Sequence, residues 1–115
     1  MINIYGIKTC STVRRAIKFC KDSELDYTFI DFRATPLDDG KVKYFASKID
    51  INILFNNRGT KYRDLKLKDL NLDENGKIEW LCKENMLLKR PILEYGDDKV
   101  LVSFNEDTYK KELIK

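Results

Sequence analysis

Three cysteines, at positions 10, 20 and 82, are the side chains of this sequence best suited to nucleophilic chemistry. The chain contains no histidine, which excludes the usual neutral-pH base, the commonest metal ligand and any Cys–His catalytic pair. The cysteines form no C-x-x-C motif and no paired metal-ligand spacing, so we expect no metal site. A nucleophilic cysteine in this chain must therefore be activated by cations and backbone N–H groups.

Cys10 stands between a predicted strand and a predicted helix. The β-branched and aromatic run at 2–5 is typical of a strand, and residues 11–21 carry apolar side chains at the helical spacing i, i+3, i+4 and i+7. These apolar positions are Val13, Ala16, Ile17 and Cys20. We therefore expect the free N–H groups near 11–13 to point at the Cys10 sulfur and to favour its thiolate form.

Cations stand close to Cys10 in the sequence. Lys8 precedes it by two residues, and Arg14 and Arg15 fall in the first turns of the helix, where they could lower the thiol pKa or hold an anionic substrate. The sequence does not decide which of them faces the sulfur. A buried filler is the alternative reading of any cysteine, but a helix start rich in hydroxyls and cations is a poor place for an inert side chain.

Cys20 and Cys82 each fall on the apolar stripe of a predicted helix, which favours a core position for both. Cys20 would also lie about 15 Å along the helix from Cys10, at ~1.5 Å per residue, which is beyond the reach of a disulfide. Neither cysteine is therefore expected to resolve a bond formed at Cys10.

The next predicted elements are a strand and a second helix. Residues 27–33 place large side chains on both faces, which is typical of a central strand covered by helices on either side. Thr35 is predicted to cap the helix and Pro36 to occupy its first position, with Asp38 three residues after the cap. The buried stripe of this helix would consist of Val42, Phe45 and Ile49.

From about 52 to 88 the pattern predicts a broken series of helices. Its apolar positions are Leu65 and Leu70 in one piece and Ile78, Leu81, Cys82 and Met86 in another. Two strands at 91–95 and 99–104 then flank the turn-forming triplet 96–98. Asn105 is placed to cap a last helix, whose inward side chains would be Tyr109 and Leu113.

The predicted order is therefore βαβα, a helical insertion and ββα. A reactive cysteine after the first strand and a proline opening the third are typical of a thioredoxin-like domain. The sequence thus predicts an α/β thioredoxin-like fold, with a four-stranded mixed sheet, flanking helices and an all-helical insertion at about 52–88 before the third strand. With 115 residues and a hydrophobic fraction of 43%, the chain suits a single domain over 1–115.

Composition limits the partners and the location. The 22 basic and 19 acidic residues leave a formal charge of only +3, which is too mild to indicate nucleic-acid binding. The N-terminus shows no basic leader or cleavage site, and no apolar run approaches the roughly 20 residues that a bilayer requires. We therefore expect a cytoplasmic protein without a membrane segment, and a monomer as the default for its small size.

Three segments carry a family resemblance. The opening YGIKTCSTVRRA (5–16) resembles YGIKNCDTxKKA, and NNRGTKYR (56–63) resembles NTRGTxxR; both patterns belong to the YffB-like subgroup of the arsenate reductase C family. KRPIL (89–93) continues the match. The resemblance covers nearly the whole chain, with its motifs in the same order and at compatible spacing.

The resemblance implies roles for four residues. Cys10 would be the redox nucleophile, Arg58 and Arg90 would be anion-binding arginines, and Pro91 would be a cis-proline beside the active site. A planar guanidinium suits this role because it makes paired, charge-assisted hydrogen bonds to an oxyanion or a carboxylate. The residues alone also allow solvated or salt-bridged surface arginines and a trans proline that opens an edge strand.

The sequence departs from its relatives at informative positions. Arsenate reductases of the family carry a third arginine after the last strand pair, where this chain has Ser103 or Phe104. Losing one charged hydrogen bond, worth roughly 1.5 to 3 kcal/mol, would reduce arsenate use about tenfold to hundredfold. Val13 replaces the second cysteine of the C-x-x-C switch in Spx-type regulators, and Ala16 replaces the arginine of C-x5-R phosphatases. Neither that switch nor that phosphate loop is therefore expected.

The leading hypothesis is a monothiol reductase in which Cys10 attacks a disulfide or a small oxyanion, and glutathione or a glutaredoxin resolves the product. Glutathione would act as a co-substrate whose carboxylates bind Arg58, Arg90 or Lys8, and no tightly bound cofactor is expected. Two alternatives stay open. One is arsenate reduction with the same cysteine, and the other is a non-catalytic, protein-binding regulator of the Spx type.

Overall fold

The computed structural model describes residues 2–114. The described residues form two compact units: 2–35 with 90–114, here called the sheet unit, and 36–89, here called the helical unit. Within residues 2–114, no helix combines the length and the apolar character needed to cross a bilayer.

The elements follow the predicted order. They are β1 (Ile2–Gly6), α1 (Ser11–Asp22), β2 (Tyr27–Asp31), α2 (Asp39–Lys48), α3 (Ile51–Leu54), α4 (Thr60–Asp64), a 3-10 turn (Leu67–Leu70), α5 (Glu74–Lys83), a second 3-10 turn (Asn85–Leu87), β3 (Ile92–Tyr95), β4 (Lys99–Val102) and α6 (Glu106–Leu113). The predicted order of strands and helices is confirmed, whereas the assignment of both units to a single domain stays a prediction.

The sheet has the strand order β2-β1-β3-β4, with β1 parallel to β2 and antiparallel to β3. β4 pairs antiparallel with β3. The prediction of a central strand at 27–33 was therefore wrong, because β2 lies at the edge of the sheet. A strand at the edge loses the cover of one neighbouring strand, so its large side chains are only half-buried and Thr28 is exposed.

α1 and α6 contribute to one buried cluster with the sheet. This cluster contains Ile2, Ile4, Ala16, Phe19, Cys20, Leu93, Tyr95 and Tyr109. Phe19 takes the buried place that the pattern assigned to Ile17, which is only partly buried. As predicted, Asn105 caps α6, its side chain accepting from the Thr108 N–H at 2.9 Å. One face of α1 is therefore fixed in the core, whereas Ser11 and Arg14 of its first turn are exposed.

The helical unit starts at Pro36, so it includes α2 as well as the predicted helical insertion. The buried side chain of Asn85 explains this boundary, because its Oδ1 accepts from the Leu37 N–H at 2.8 Å and its Nδ2 donates to the Leu81 carbonyl at 2.9 Å. The predicted cap Thr35 was wrong. Asp38 caps α2 by accepting from the Lys41 N–H, in keeping with the stronger capping preference of aspartate.

The apolar pattern predicted inside the helical unit was partly wrong. Leu65 and Leu70 are 38% and 53% exposed, whereas Leu67 is buried. The reason is that Lys66 and Asn71 have left-handed backbone conformations, with φ of 55° and 46°, and bracket a 3-10 turn. A helical spacing rule does not hold across such breaks.

The other apolar positions of this unit also differ in burial. Leu81 is fully buried, whereas Ile78, Cys82 and Met86 are half-buried. In α2, Val42 and Phe45 are buried as predicted, and Ile49 lies just past the end of the helix and is half-buried.

Candidate functional site

A tight turn presents Cys10 at the start of α1. The Cys10 N–H donates to the Ile7 carbonyl at 3.3 Å, which closes a four-residue turn directly after β1. Its carbonyl then accepts the first helical bond, from the Arg14 N–H at 3.1 Å. A Cβ at Gly6 would lie 2.6 Å from Cγ2 of Val13, so glycine allows α1 to begin close against the end of β1. Cys10 is thereby the N-cap residue of α1, with its side chain half-exposed.

The surroundings of the Cys10 thiol favour its charged form. Burial by itself would raise its pKa, but the backbone N–H groups of Val13 and Thr12 and the guanidinium of Arg90 outweigh burial, so the pKa is lowered from its ordinary value. These N–H groups belong to the start of α1, and their dipoles favour a negative charge on the sulfur. The Cys10 side chain makes no capping hydrogen bond of ordinary geometry. A thiolate in this position is accessible and is populated at lower pH than that of an ordinary cysteine.

Arg90 is the predicted arginine that the sheet unit brings to Cys10, where its guanidinium hydrogen-bonds the sulfur and attracts its negative charge. The sheet explains the approach, because Tyr5 of β1 pairs with Ile92 of β3 and the end of β1 therefore lies beside the start of β3. The peptide bond between Arg90 and Pro91 is cis, the geometry that the family resemblance implies.

Lys8 and Arg14 border the turn from the outside. Nη1 of Arg14 donates to the Lys8 carbonyl at 3.5 Å, and the Lys8 N–H donates to Oδ2 of Asp31 at 3.4 Å. Both side chains are exposed, and the groups that lower the pKa of Cys10 are the helical N–H groups and Arg90. The anion-binding roles of Lys8 and Arg14 stay predictions.

Arg58 belongs to the helical unit, where it is exposed in the turn before α4. Its N–H donates to Oδ1 of Asn56 at 3.2 Å, and a Cβ at Gly59 would lie 2.9 Å from Nδ2 of the same asparagine. The NNRG motif therefore encodes an asparagine-stabilised turn in which Gly59 leaves room for the Asn56 side chain. The anion-binding role of Arg58 stays a prediction.

The other two cysteines occupy different surroundings. Cys20 is fully buried, as predicted, and burial raises the pKa of its thiol. The core position predicted for Cys82 was wrong, since this residue is half-exposed beside Asp39 and Lys43 at the surface of the helical unit. The physical reason is that its neighbour Leu81 provides the fully buried contact of α5, which turns Cys82 towards the rim. Burial and the Asp39 carboxylate raise the pKa of Cys82.

Three residues that the sequence analysis missed lie around the Cys10 turn. Asp31 accepts from the Arg33 N–H at 2.9 Å and from the Lys8 N–H, and Nη2 of Arg33 donates to Oγ1 of Thr9 at 2.6 Å. The hydrogen bonds to Asp31 hold its pKa below its usual range, against the opposing effect of burial. The sequence offered a signal for Asp31, because the carboxyl ends of neighbouring parallel strands lie at the same end of the sheet and β2 ends at Asp31.

The segment after β4 supplies no guanidinium to the site. Ser103 has a left-handed backbone, with φ of 68°, and its N–H donates to the Pro91 carbonyl at 2.8 Å. The Phe104 ring packs edge-to-face on Phe19 and Tyr109, at centroid distances of 6.2 and 4.8 Å. These two residues therefore serve a turn and a packing contact where the family's arsenate reductases would place their third arginine.

Known proteins resemble this chain over nearly its whole length. Residues 5–112 match the ArsC family. An uncharacterized protein of Haemophilus influenzae is 34% identical over 111 residues, covering 96% of each chain. The solved structure of the protein YffB aligns with a TM-score of 0.90 at 30% identity, covering 98% of this chain and 99% of that one. An arsenate reductase related protein from Brucella melitensis aligns with a TM-score of 0.76 at 31% identity, covering 99% and 95%.

The fold is shared more widely than the family. A glutaredoxin from Archaeoglobus fulgidus aligns with a TM-score of 0.50 at 15% identity, covering 99% of this chain and 86% of that one, which is a likeness of fold alone. Together with the four-stranded mixed sheet, these alignments confirm the predicted thioredoxin-like α/β fold.

Proposed function

Because the chain belongs to the ArsC family, we propose that it is a monothiol reductase in which the Cys10 thiolate is the nucleophile. The observation that carries the proposal is the contrast within α1. The N–H groups at its start and Arg90 lower the pKa of Cys10, whereas burial raises the pKa of Cys20. A lowered pKa on a half-exposed cysteine is the mark of a reactive thiol rather than of a packing residue.

The proposed reaction is thiol–disulfide exchange. The Cys10 thiolate attacks one sulfur of a disulfide, a new S–S bond forms to that sulfur, and the other half leaves as a thiolate. A second thiol then attacks the mixed disulfide and releases Cys10 again. Cys20 is unsuited to this second step, because it lies ten residues further along the helix, about 15 Å at ~1.5 Å per residue.

The second thiol would come from outside the chain, and we propose glutathione or a glutaredoxin, as a reducing compartment such as the cytoplasm would supply. Arg90 is already at the sulfur and would meet a carboxylate of the bound thiol. Lys8, Arg14 and Arg58 are the further cations proposed for anion binding.

Arsenate reduction is a second candidate, favoured by the likeness to the Brucella melitensis protein named as related to arsenate reductase. Cys10 would attack arsenic and displace a hydroxide, after which external thiols supply the electron pair. Ser103 and Phe104 leave the anion without a third guanidinium from the segment after β4, so we expect this activity to be weak.

The test is the intact mass after incubation with oxidised glutathione, followed by turnover assays with a disulfide and with arsenate. We expect a single glutathione adduct in the wild type and in Cys82→Ser, and none in Cys10→Ser. A Cys10-dependent adduct without turnover on either substrate would contradict the reductase and favour a protein-binding regulator. Absence of the adduct would contradict the nucleophilic role of Cys10.

A further inference from the structure

We propose that Arg33 is a specificity-determining residue that binds a carboxylate of the disulfide or thiol reacting at Cys10. The ligand class is a cysteine-containing peptide or amino acid that carries a free carboxylate close to its sulfur. This inference rests on the proposed function, because the ligand is held by Arg33 only when it approaches the Cys10 turn.

The backbone that carries Arg33 is fixed. Asp31, at the end of β2, accepts at its carbonyl from the N–H groups of Ala34 and Thr35 at 3.1 and 2.9 Å, and at its carboxylate from the Arg33 N–H at 2.9 Å. Phe32 is only 2% exposed and anchors the segment. The backbone of Arg33 is therefore held in one place, at the same end of the sheet as the carboxyl end of β1.

The guanidinium reaches across to the Cys10 turn. Its Nη2 donates to Oγ1 of Thr9 at 2.6 Å, across 24 positions of sequence. A guanidinium offers five N–H donors, and the threonine hydroxyl takes one of them without neutralising the charge. Arg33 is exposed, so the side chain presents its charge to the solvent beside the turn.

Asp31 is the acidic group that faces Arg33, and it attracts the guanidinium. Its carboxylate, however, also accepts from the backbone N–H groups of Arg33 and Lys8. Asp31 therefore supports the backbone at Arg33 and at Lys8. A second carboxylate can still approach the outward side of the Arg33 guanidinium.

The position of Thr9 suits a small peptide. Thr9 directly precedes Cys10, and consecutive Cα atoms lie about 3.8 Å apart, so the hydroxyl that holds the guanidinium belongs to the residue next to the reacting one. In a mixed disulfide with a cysteine-containing peptide, a carboxylate on the next residue is displaced from the sulfur by a similar length of chain. A planar guanidinium binds such a carboxylate through paired hydrogen bonds.

The experiment compares two disulfides, oxidised glutathione and bis(2-hydroxyethyl) disulfide, which carries no charge. Rate constants for adduct formation at Cys10 would be measured by mass spectrometry for the wild type, Arg33→Gln and Arg33→Lys. Lys21→Gln is the matched control, since it removes one exposed positive charge at the far end of α1. The pH dependence of Cys10 alkylation in Arg33→Gln reports whether the thiol itself has changed.

We expect Arg33→Gln to slow the reaction with oxidised glutathione by about threefold to fivefold, the size typical of an exposed ion pair, and to leave the uncharged disulfide unaffected. Arg33→Lys should retain part of the preference, and added salt should reduce it. Equal slowing of both disulfides would overturn the inference and assign Arg33 to holding the turn. Unchanged rates with both disulfides would overturn it as well. If wild-type Cys10 formed no adduct with either disulfide, the proposed function would fail first.

Discussion

Cys10 and Cys20 stand at the start and in the second half of the same helix, and the helix gives them opposite chemistry. Cys10 is half-exposed at the N-cap, where N–H groups and Arg90 lower its pKa. Cys20 is fully buried in the cluster beneath the sheet, where its pKa is raised. The comparison teaches that exposure and the direction of nearby dipoles, rather than residue type, give the two thiols opposite pKa shifts.

Exchanging each cysteine for serine gives the largest expected contrast. Cys10→Ser should abolish adduct formation with oxidised glutathione and change stability little, because the site is half-exposed and serine is a good N-cap residue. Cys20→Ser should keep the adduct and lower the free energy of unfolding by about 1–3 kcal/mol, since it buries a hydroxyl in an apolar site. Mass spectrometry and urea unfolding measure both effects. A Cys10→Ser protein that still formed the adduct would reverse the assignment.

The close approach of α1 to β1 gives the next effect. Gly6→Ala would place a Cβ 2.6 Å from Cγ2 of Val13, and Val13 is fully buried with little room to shift. We expect a loss of about 1–3 kcal/mol in the free energy of unfolding, the range typical of overpacking. Gly40→Ala is the control, because its nearest neighbour would be at an ordinary contact distance of 3.5 Å. Equal stability of the two variants would contradict the tight packing of the helix start.

Arg90 provides a smaller, electrostatic effect. Arg90→Gln should raise the pKa of Cys10, because the charged partner of the thiolate is removed while the helical N–H groups remain. At pH 7 this lowers the thiolate fraction, and we expect alkylation by iodoacetamide to slow by roughly threefold to tenfold. Arg15→Gln, an exposed arginine of α1, serves as control. A similar slowing in both variants would indicate a general charge effect instead.

The opposite pKa shifts also predict that Cys10 and Cys20 make small contributions to stability that change in opposite directions with pH. The pKa of Cys10 is lowered in the folded protein, so between its folded and unfolded pKa values the folded state binds fewer protons. Its contribution to stability therefore grows as the pH rises through this window and is complete above the unfolded pKa of about 8.5. The pKa of Cys20 is raised on folding, so its contribution is lost as the pH rises above that value.

Urea unfolding of the wild type and Cys10→Ser at pH 6 and pH 9 would measure the first of these effects. The stability difference, wild type minus variant, should be larger at pH 9. A difference that shrinks with rising pH would contradict a lowered pKa at Cys10.

The sequence predicted much of the fold where the local signals were strong. A strand, a turn with Cys10 and an amphipathic helix were all readable, as was the asparagine cap of α6. The edge position of β2 was not, because large side chains on both faces do not distinguish an edge strand from a central one. The left-handed residues Lys66 and Asn71 likewise interrupt the helical spacing that placed Leu65 and Leu70 in the core.

From residue spacing alone, the candidate site was predictable only where one segment supplies it, whereas Arg90 was indicated by the family resemblance. The dipoles at the start of α1 follow from local sequence, whereas the contact between Arg90 and Cys10 depends on the antiparallel pairing of β1 with β3. The bond between Arg33 and Thr9 similarly depends on the parallel pairing of β1 with β2. The spacing of residues along the chain does not show which individual side chains such pairings bring into contact.

The central claim is that Cys10 is the activated thiol of this chain, and peptide-resolved alkylation against pH tests it most directly. The rate of iodoacetamide labelling at Cys10 would be followed by mass spectrometry in the folded protein and in the urea-unfolded chain, with Cys20 as the internal comparison. We expect the pH midpoint of Cys10 labelling to be lower in the folded protein than in the unfolded chain, and Cys20 to be protected in the folded protein. A folded midpoint equal to or above the unfolded one would contradict the activation of Cys10.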